Sequence, residues 1–346
     1  MDELIYKNIS LETLDEYKKC FDNNGSKKIR EVLKWQLLEN PIEKKFAYIA
    51  LNNQSKAAGT YAVLPSEFKI GESTFLGSQA IDAMTDVNFR GQGLFIKLAK
   101  DVYENAEKDG VKLVFGFPNG QSVHGHQNKL GWNLMDPLPF LLKPLNTQYF
   151  SKKIKMLSWL PNVRMASKSR INKDIKISLK NEFPSEVNDI WEKFSRNIKV
   201  AVIRNKKYME WRYLKKPLED YQIAHAYTKE NEYIGYIIYC VKGKHGGKIA
   251  YIMEYIYNPK YSSLAKNLMK FACNEAIEKN ADCILAWGME HSENYINYKS
   301  SGFYNLPEKL RPIELHFGAK AFDKNLKDLI SNRENWYLSY SDSDTV

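Results

Sequence analysis

The sequence predicts an α/β chain built from two copies of one fold. Three observations carry this prediction. The chain has 346 residues, the size of two ordinary domains, and 44% of them are hydrophobic, enough for real cores. A strand, a glycine-punctuated turn, a helix and a second strand follow one another over residues 81–132. Finally, a set of spaced residues recurs in order at offsets of 170–176.

The first copy is read from its turn outward. Ile81-Asp82-Ala83-Met84-Thr85 ends a half-buried strand. Arg90-Gly91-Gln92-Gly93 then opens a helix whose apolar spacing is Leu94, Leu98, Val102. Residues 112–117 form the next strand, and Gly131-Trp132 closes a short helix. Glycines let backbone approach an anion closely. The N–H groups of a new helix start have no internal partner and lie at the positive end of the dipole. A diphosphate suits such a turn, and Arg90 adds a fork of charged donors. A plain connecting loop would use the same glycines. The turn is not a Walker loop, because it lacks G-K-[ST], and it is not the dinucleotide fingerprint G-x-G-x-x-G.

The second copy follows from the repeat. Trp35 and Pro41 in W-x-x-L-x-x-P are answered by Trp211 and Pro217. Gly59 is answered by Gly235, each entering a β-rich run; Leu113-Val114-Phe115 by Cys283-Ile284-Leu285; and Gly131-Trp132 by Gly302-Phe303. The second copy keeps a strand over 251–257 and a helix over 268–278, but Tyr261, Ser262 and Ser263 replace the glycines of its turn. Side chains there crowd a diphosphate. The expected organisation is a first domain over 1–145, a linker over 146–178 and a degenerate second domain over 179–346. The linker region carries Lys152, Lys153, Lys155, Arg164, Lys168, Arg170, Lys173 and Lys176 against the one acid Asp174. It reads as a solvated connection, as a basic wall for phosphates, or as a membrane-surface contact through Met156, Leu157, Trp159 and Leu160.

Together these residues resemble the GNAT superfamily of acyl-CoA-dependent N-acyltransferases in its tandem, two-domain form. The family signature is R/Q-x-x-G-x-G/A after the fourth strand. Arg90, Gly93 and Phe95 fall on its positions, with Phe95 where a small residue is the rule. The resemblance covers residues 45–135. It implies two tandem folds, each a mixed, mostly antiparallel sheet with helices on both faces. It implies that Arg90, Gly91, Gln92, Gly93, Leu94 and Phe95 cradle the pyrophosphate of acetyl-CoA, the expected co-substrate. Backbone at Met84 and Thr85 would bond the pantetheine arm. Asn119 would bond that arm or the acceptor, or serve as a turn residue in Pro118-Asn119-Gly120. No metal is implied.

The implied reaction is direct transfer of the acyl group to a primary amine of a small polar acceptor. An amino sugar, nucleotide-linked or not, is the first candidate. Two alternatives stand beside it: FemX-like peptidyl transfer from aminoacyl-tRNA, and a catalytically inactive acyl-CoA-binding module. An intact cradle argues against a tRNA-borne donor, so no nucleic-acid partner is expected.

Such transfer needs a base for the amine proton. Asp82, two residues before Met84, is the leading choice. Asp86 is a weaker one, and Glu254 occupies the position of Asp82 in the second copy. His126, and less so His124, can act as base or acid, or orient substrate. The pair is too short and isolated to suggest a metal. The family's acid, a tyrosine, would fall at Gln127 in the first copy and at Tyr298 in the second.

No run of 18 apolar residues exists, so no membrane span is expected. The start, Met1-Asp2-Glu3-Leu4, does not resemble a signal peptide. Cys20, Cys240, Cys273 and Cys283 lack metal-type spacing and read as reduced thiols of a cytoplasmic protein. Residues 336–340 read as a last strand, followed by a frayed acidic end. Nothing in the sequence fixes an oligomeric state.

Overall fold

A computed structural model describes residues 4–148, 151, 159, 161–244, 246–311 and 316–343. The strands of the first half are β1 (Ile5–Asn8), β2 (Phe46–Leu51), β3 (Ala57–Ile70), β4 (Ser73–Thr85), β5 (Leu113–Gly116), β6 (Asn133–Met135) and β7 (Phe140–Pro144). Those of the second are β8 (Ile175–Leu179), β9 (Val200–Val202), β10 (Gln222–Thr228), β11 (Tyr233–Lys244), β12 (Gly247–Tyr257), β13 (Cys283–Trp287), β14 (Tyr304–Asn305) and β15 (Phe317–Ala321).

One sheet runs β1-β2-β3-β4-β5-β15-β6, with β9 paired to the far end of β3. The other, taken from β8, runs β8-β10-β11-β12-β13-β7-β14 and repeats that order strand for strand. Its β7 comes from the first half and pairs with β13, while β15 of the second half pairs with β5. The halves therefore exchange a strand. All pairings between named strands are antiparallel except β4–β5 and β12–β13. These are the mixed, mostly antiparallel sheets that the resemblance implies. β5 is buried along its whole length, so both its edges need partners, and the exchanged β15 covers one of them.

Helices lie on both faces. The helix α3 (Leu94–Lys108) buries Leu94, Leu98, Val102 and Ala106 against the first sheet, the spacing that the sequence displays. On the other face α1 (Leu14–Asp22) and α2 (Arg30–Leu38) pack with Trp211 of the second half. The helix Ser262–Glu278 plays the part of α3 in the second sheet. A central cluster joins both copies, with Phe68 and Phe115 meeting Phe140, Tyr251, Trp287 and Trp336.

The repeated tryptophans meet at the centre. Trp35 and Trp211 stack with ring centroids 4.5 Å apart. Each indole N–H donates to the other's carbonyl oxygen, Trp35 Nε1 to Trp211 at 3.0 Å and Trp211 Nε1 to Trp35 at 3.4 Å. This reciprocity is what an approximate two-fold relation between the copies requires.

The C-terminal segment departs from expectation. Residues 336–343 are buried, and apart from one bridge between Val200 and Trp336 they pair with no strand. Asp342 is held by the guanidinium of Arg204 at 2.6 Å instead of fraying into solvent. In the basic stretch, Lys152, Lys153, Lys155, Met156, Leu157 and Leu160 lie outside the described residues, while Trp159 is exposed.

Replacing Trp35 or Trp211 with alanine removes a buried, stacked and doubly hydrogen-bonded ring. Each single change is expected to cost about 3–5 kcal/mol in urea unfolding. The double variant should lose less than the sum, because the two rings are one interaction.

Candidate active site

The cleft begins where β4 and β5 part. They pair at Ser78–Val114 and Gln79–Phe115 and then diverge. Between them opens a cavity of about 760 Å³, lined by residues 79–85, the start of α3, and Phe117 to Asn119. The turn into α3 runs through two left-handed glycines, Gly91 at φ 78° and Gly93 at φ 75°. A Cβ built on either would meet nothing within 4 Å, so the backbone there faces open space. Gly93 is the N-cap and supplies no capping side chain, which leaves the first N–H groups of α3 directed outward. Asp86 caps the short turn before it through the Asn88 N–H, and Asn24 braces Asp86 at 3.1 Å. These features fit a diphosphate.

Of the residues singled out in the sequence, Asp82, Met84, Thr85, Arg90, Gly91, Gly93, Leu94, Phe95, Asn119 and His126 all line this one cleft. Gln92 is exposed and is not among the lining residues. Asn119 Oδ1 accepts the Gln121 and Ser122 N–H groups, both at 3.1 Å, so its side chain also shapes the turn into α4 (Val123–Leu130).

Phe95 fits because of Gly125. A Cβ at Gly125 would lie 2.6 Å from the Phe95 ring. The pair exchanges the usual bulk: a large residue at the helix start faces a missing side chain on α4.

Asp82 does not follow simple strand alternation. Thr60 pairs with Met84 but Ala62 with Ile81, so Asp82 and Ala83 together oppose Tyr61 in a β-bulge. Asp82 takes φ 53°, a left-handed conformation that aspartate tolerates better than most residues. The bulge turns its carboxylate toward α1 and the segment after it. Lys28 Nζ lies 2.5 Å from Oδ1, and the Tyr17 hydroxyl donates to Oδ2 at 3.5 Å. Burial, then the Asp82 charge, push the Tyr17 hydroxyl well above its ordinary range. Lys28 and Tyr17 were missed in the sequence, since nothing in the pattern of residues 14–30 marks them.

His126 is buried at the cleft floor, not at the surface. The Ser122 carbonyl, 2.9 Å from Nδ1, can only accept, so Nδ1 carries the proton. Nε2 then accepts from the Tyr61 hydroxyl at 3.2 Å. Tyr103 donates to Tyr61 at 2.6 Å and accepts from the Trp132 indole at 3.0 Å, completing a one-way chain. Burial lowers the affinity of His126 for a second proton. His124 and Gln127 are exposed. Tyr298 is buried against Phe303 in the core of the second copy, and Glu254 is fully buried against Arg204. Neither faces the cleft. Among the described residues no group of three His, Cys, Asp or Glu is placed to hold a metal, and no helix is long and apolar enough to cross a membrane.

A glycine-opened helix start thus stands beside two diverging parallel strands. The family model for the acetyltransferase (GNAT) domain matches residues 7–135, so this part of the chain is similar to that domain. The whole chain is similar in fold to Saccharomyces cerevisiae N-myristoyltransferase with bound myristoyl-CoA. That match has a TM-score of 0.62 at 11% identity, over 92% of this chain and 82% of that one. It is also similar to a probable N-acyltransferase from Enterococcus faecalis V583, with a TM-score of 0.63 at 13% identity over 93% and 73% of the two chains. A GCN5-related N-acetyltransferase from Anabaena variabilis ATCC 29413 gives 0.63 at 13% identity over 95% and 73%. No curated relative matches the sequence.

The buried histidines set an acid limit. His126 is lowered by burial, and His225, between the Tyr233 hydroxyl and the Glu182 carbonyl, is lowered to about 4, also mainly by burial. Unfolded histidine takes up its proton near pH 6.5. Below that pH the unfolded chain binds more protons, so this stability is complete above about 6.5 and is lost as the pH falls toward the folded values. Urea midpoints should therefore drop from pH 7.5 to pH 5. Nitrogen-15 NMR should show His126 as the neutral Nδ1–H tautomer at pH 7.5, and the Nε2–H tautomer there would refute the hydrogen-bond chain.

Proposed function

We propose that the chain transfers an acetyl group from acetyl-CoA to a primary amine of a small polar acceptor, directly, with both substrates bound. The open glycine turn at Gly91 and Gly93, beside the parted ends of β4 and β5, is the observation that supports this most strongly. Arg90 and the N–H groups at the start of α3 would hold the pyrophosphate, with Gln92, Leu94 and Phe95 completing the turn. Backbone at Met84 and Thr85 would hold the pantetheine arm, and Asn119 lies beside its path. Coenzyme A supplies the activated thioester.

Asp82 is the proposed base. Its carboxylate is the one acid that lines the cleft among the described residues, and it already holds an ammonium, that of Lys28. An acceptor amine is the same kind of group and can take that place. The ammonium first gives a proton to Asp82, the neutral amine nitrogen then attacks the thioester carbonyl, and the carbon–sulfur bond breaks while the nitrogen's second proton goes to the departing thiolate through solvent. His126 has both nitrogens engaged and is proposed to orient substrate at the floor rather than to carry protons.

The second copy is proposed to bind no coenzyme, since Tyr261 and Ser262 stand in its turn. Four free, buried cysteines favour a cytoplasmic setting. An amino sugar remains the first acceptor to try. Peptidyl transfer from aminoacyl-tRNA is disfavoured by the open cradle, and an inactive binding module by the buried carboxylate beside it.

Two changes test these assignments separately. Gly93→Asp places a charged side chain in the cradle and should weaken acetyl-CoA binding in calorimetry by at least about a hundredfold. Asp82→Asn should leave that affinity unchanged while lowering kcat for thiol release with an amine panel by about 10²–10⁴. Unaltered affinity in the first variant, or unaltered kcat in the second, sinks the corresponding role.

A further inference from the structure

We propose that the chain acetylates its own Lys28, moving one acetyl group from bound acetyl-CoA to the lysine Nζ. The inference rests on the acyl-transfer reading and adds a modification site to it. Lys28 lines the same cavity as the glycine turn, Met84 and Thr85. Its Nζ lies 2.5 Å from Asp82 Oδ1, so an ammonium already sits on the carboxylate proposed to take an acceptor's proton.

The chain holds this lysine inward. Lys28 stands between α1 and α2, and its backbone N–H donates to Asp22 Oδ1 at 3.1 Å. Nζ lies over the Phe21 ring, 4.8 Å from its centroid. The Lys28 side chain is 26% exposed and that of Asp82 2%. The neighbouring Lys27 is exposed and is not among the residues lining the cleft. Along β4 the proposed contacts of the coenzyme run in order, from the turn at Gly91 and Gly93 to Thr85 and Met84. Continued in that direction, the arm leads to Asp82, roughly 6–7 Å beyond Met84 on an extended strand. The flexible four-carbon stem of lysine can span a gap of that size.

The step is the one proposed for a free amine, with the nucleophile supplied by the chain. The Lys28 ammonium gives a proton to Asp82, and the neutral Nζ attacks the thioester carbonyl carbon. The carbon–nitrogen bond forms, the carbon–sulfur bond breaks, and the second proton reaches the thiolate through solvent. The products are N-acetyl-Lys28 and coenzyme A, with the proton on Asp82 returned to solvent. The reaction occurs once per chain. A neutral amide no longer pairs with Asp82, which leaves the carboxylate to the ammonium of a free acceptor. Acetylation by acetyl-CoA in solution favours exposed lysines, so it would mark Lys27 before Lys28. A preference for Lys28 requires a positioned thioester and a base.

The test incubates the whole chain with acetyl-CoA and no added amine. Intact mass counts acetyl groups, and fragmentation of the peptide over residues 23–31 separates Lys27 from Lys28. One acetyl group per chain should appear on Lys28, ahead of Lys27 by at least about tenfold. Its first-order rate should saturate with acetyl-CoA and be independent of protein concentration. Asp82→Asn should slow the step by about 10²–10⁴ while calorimetry shows acetyl-CoA still bound. Lys28→Arg should bind acetyl-CoA and gain no acetyl group on this peptide. No acetylation of Lys28, equal labelling of Lys27, a rate that rises with protein concentration, or an undiminished rate in Asp82→Asn overturns the inference. Thiol release by the wild-type chain with the amine panel would then leave the acyl-transfer reading standing. Failure of the wild-type chain to bind acetyl-CoA overturns both.

Discussion

Arg204 ties together the parts on which the site depends. Its guanidinium donates to Glu254 on β12 at 3.0 Å, to Asp342 in the C-terminal segment at 2.6 Å and to the Val202 carbonyl at 2.7 Å, with no solvent exposure. Val202 ends β9, which pairs with β3 of the first sheet. The Asp342 carbonyl in turn accepts from Gln79 on β4 at 2.6 Å, at the point where β4 and β5 begin to part. One cation thus joins the first sheet, the second sheet and the tail. Burying three charged groups is expensive, and such a cluster adds little net stability over an apolar one of equal volume. One guanidinium faces two carboxylates, and burial pushes the Asp342 carboxyl above its usual range despite Arg204. The cluster's role is to select one arrangement: a tail placed elsewhere would leave the Arg204 N–H that donates to Asp342 without its acceptor in the interior.

The tail that Arg204 fixes also separates the two copies chemically. β12 and β13 stop pairing after Ile252 and Ala286, just as β4 and β5 stop after Gln79 and Phe115. In the first copy the freed strand end faces open space. In the second, the Ser341 hydroxyl donates to the Met253 carbonyl at 3.3 Å and the Asn294 side chain to the Tyr255 carbonyl at 2.8 Å. Tyr337 reaches Glu254 at 2.5 Å, and Tyr340 stacks on Trp287 at 4.4 Å. The backbone groups that a pantetheine arm would need are taken by the protein itself.

The legible parts of the sequence were those with local causes. Helical spacing from Leu94, the glycine turn and the strand before it follow from neighbouring residues, and the repeat gave away the duplication. The strand exchange was not legible, because β7 and β15 are short apolar runs whose partners lie in the opposite half. Alternation placed Asp82 on the face of Met84, but the bulge at Asp82 and Ala83 breaks that count, and its only sequence trace is an aspartate able to adopt a left-handed backbone. Glu254, read as the counterpart of Asp82, is instead the partner of Arg204. The acidic end read as frayed because its cation lies 138 positions away in the chain. Phe95 read as a misfit until Gly125 on the next helix accounted for its volume.

The approximate two-fold relation sets matching segments of the two halves face to face. Trp35 and Trp211 sit at its centre, so the segments that carry them, α2 and residues 206–214, face one another across it. A cavity of about 330 Å³ lies beside this centre. Its walls come from both halves: Lys28 and Gln79 from the first, Lys216, Glu219 and Lys242 from the second. The strand exchange and the Arg204 cluster hold these walls in register with the cleft of the first half.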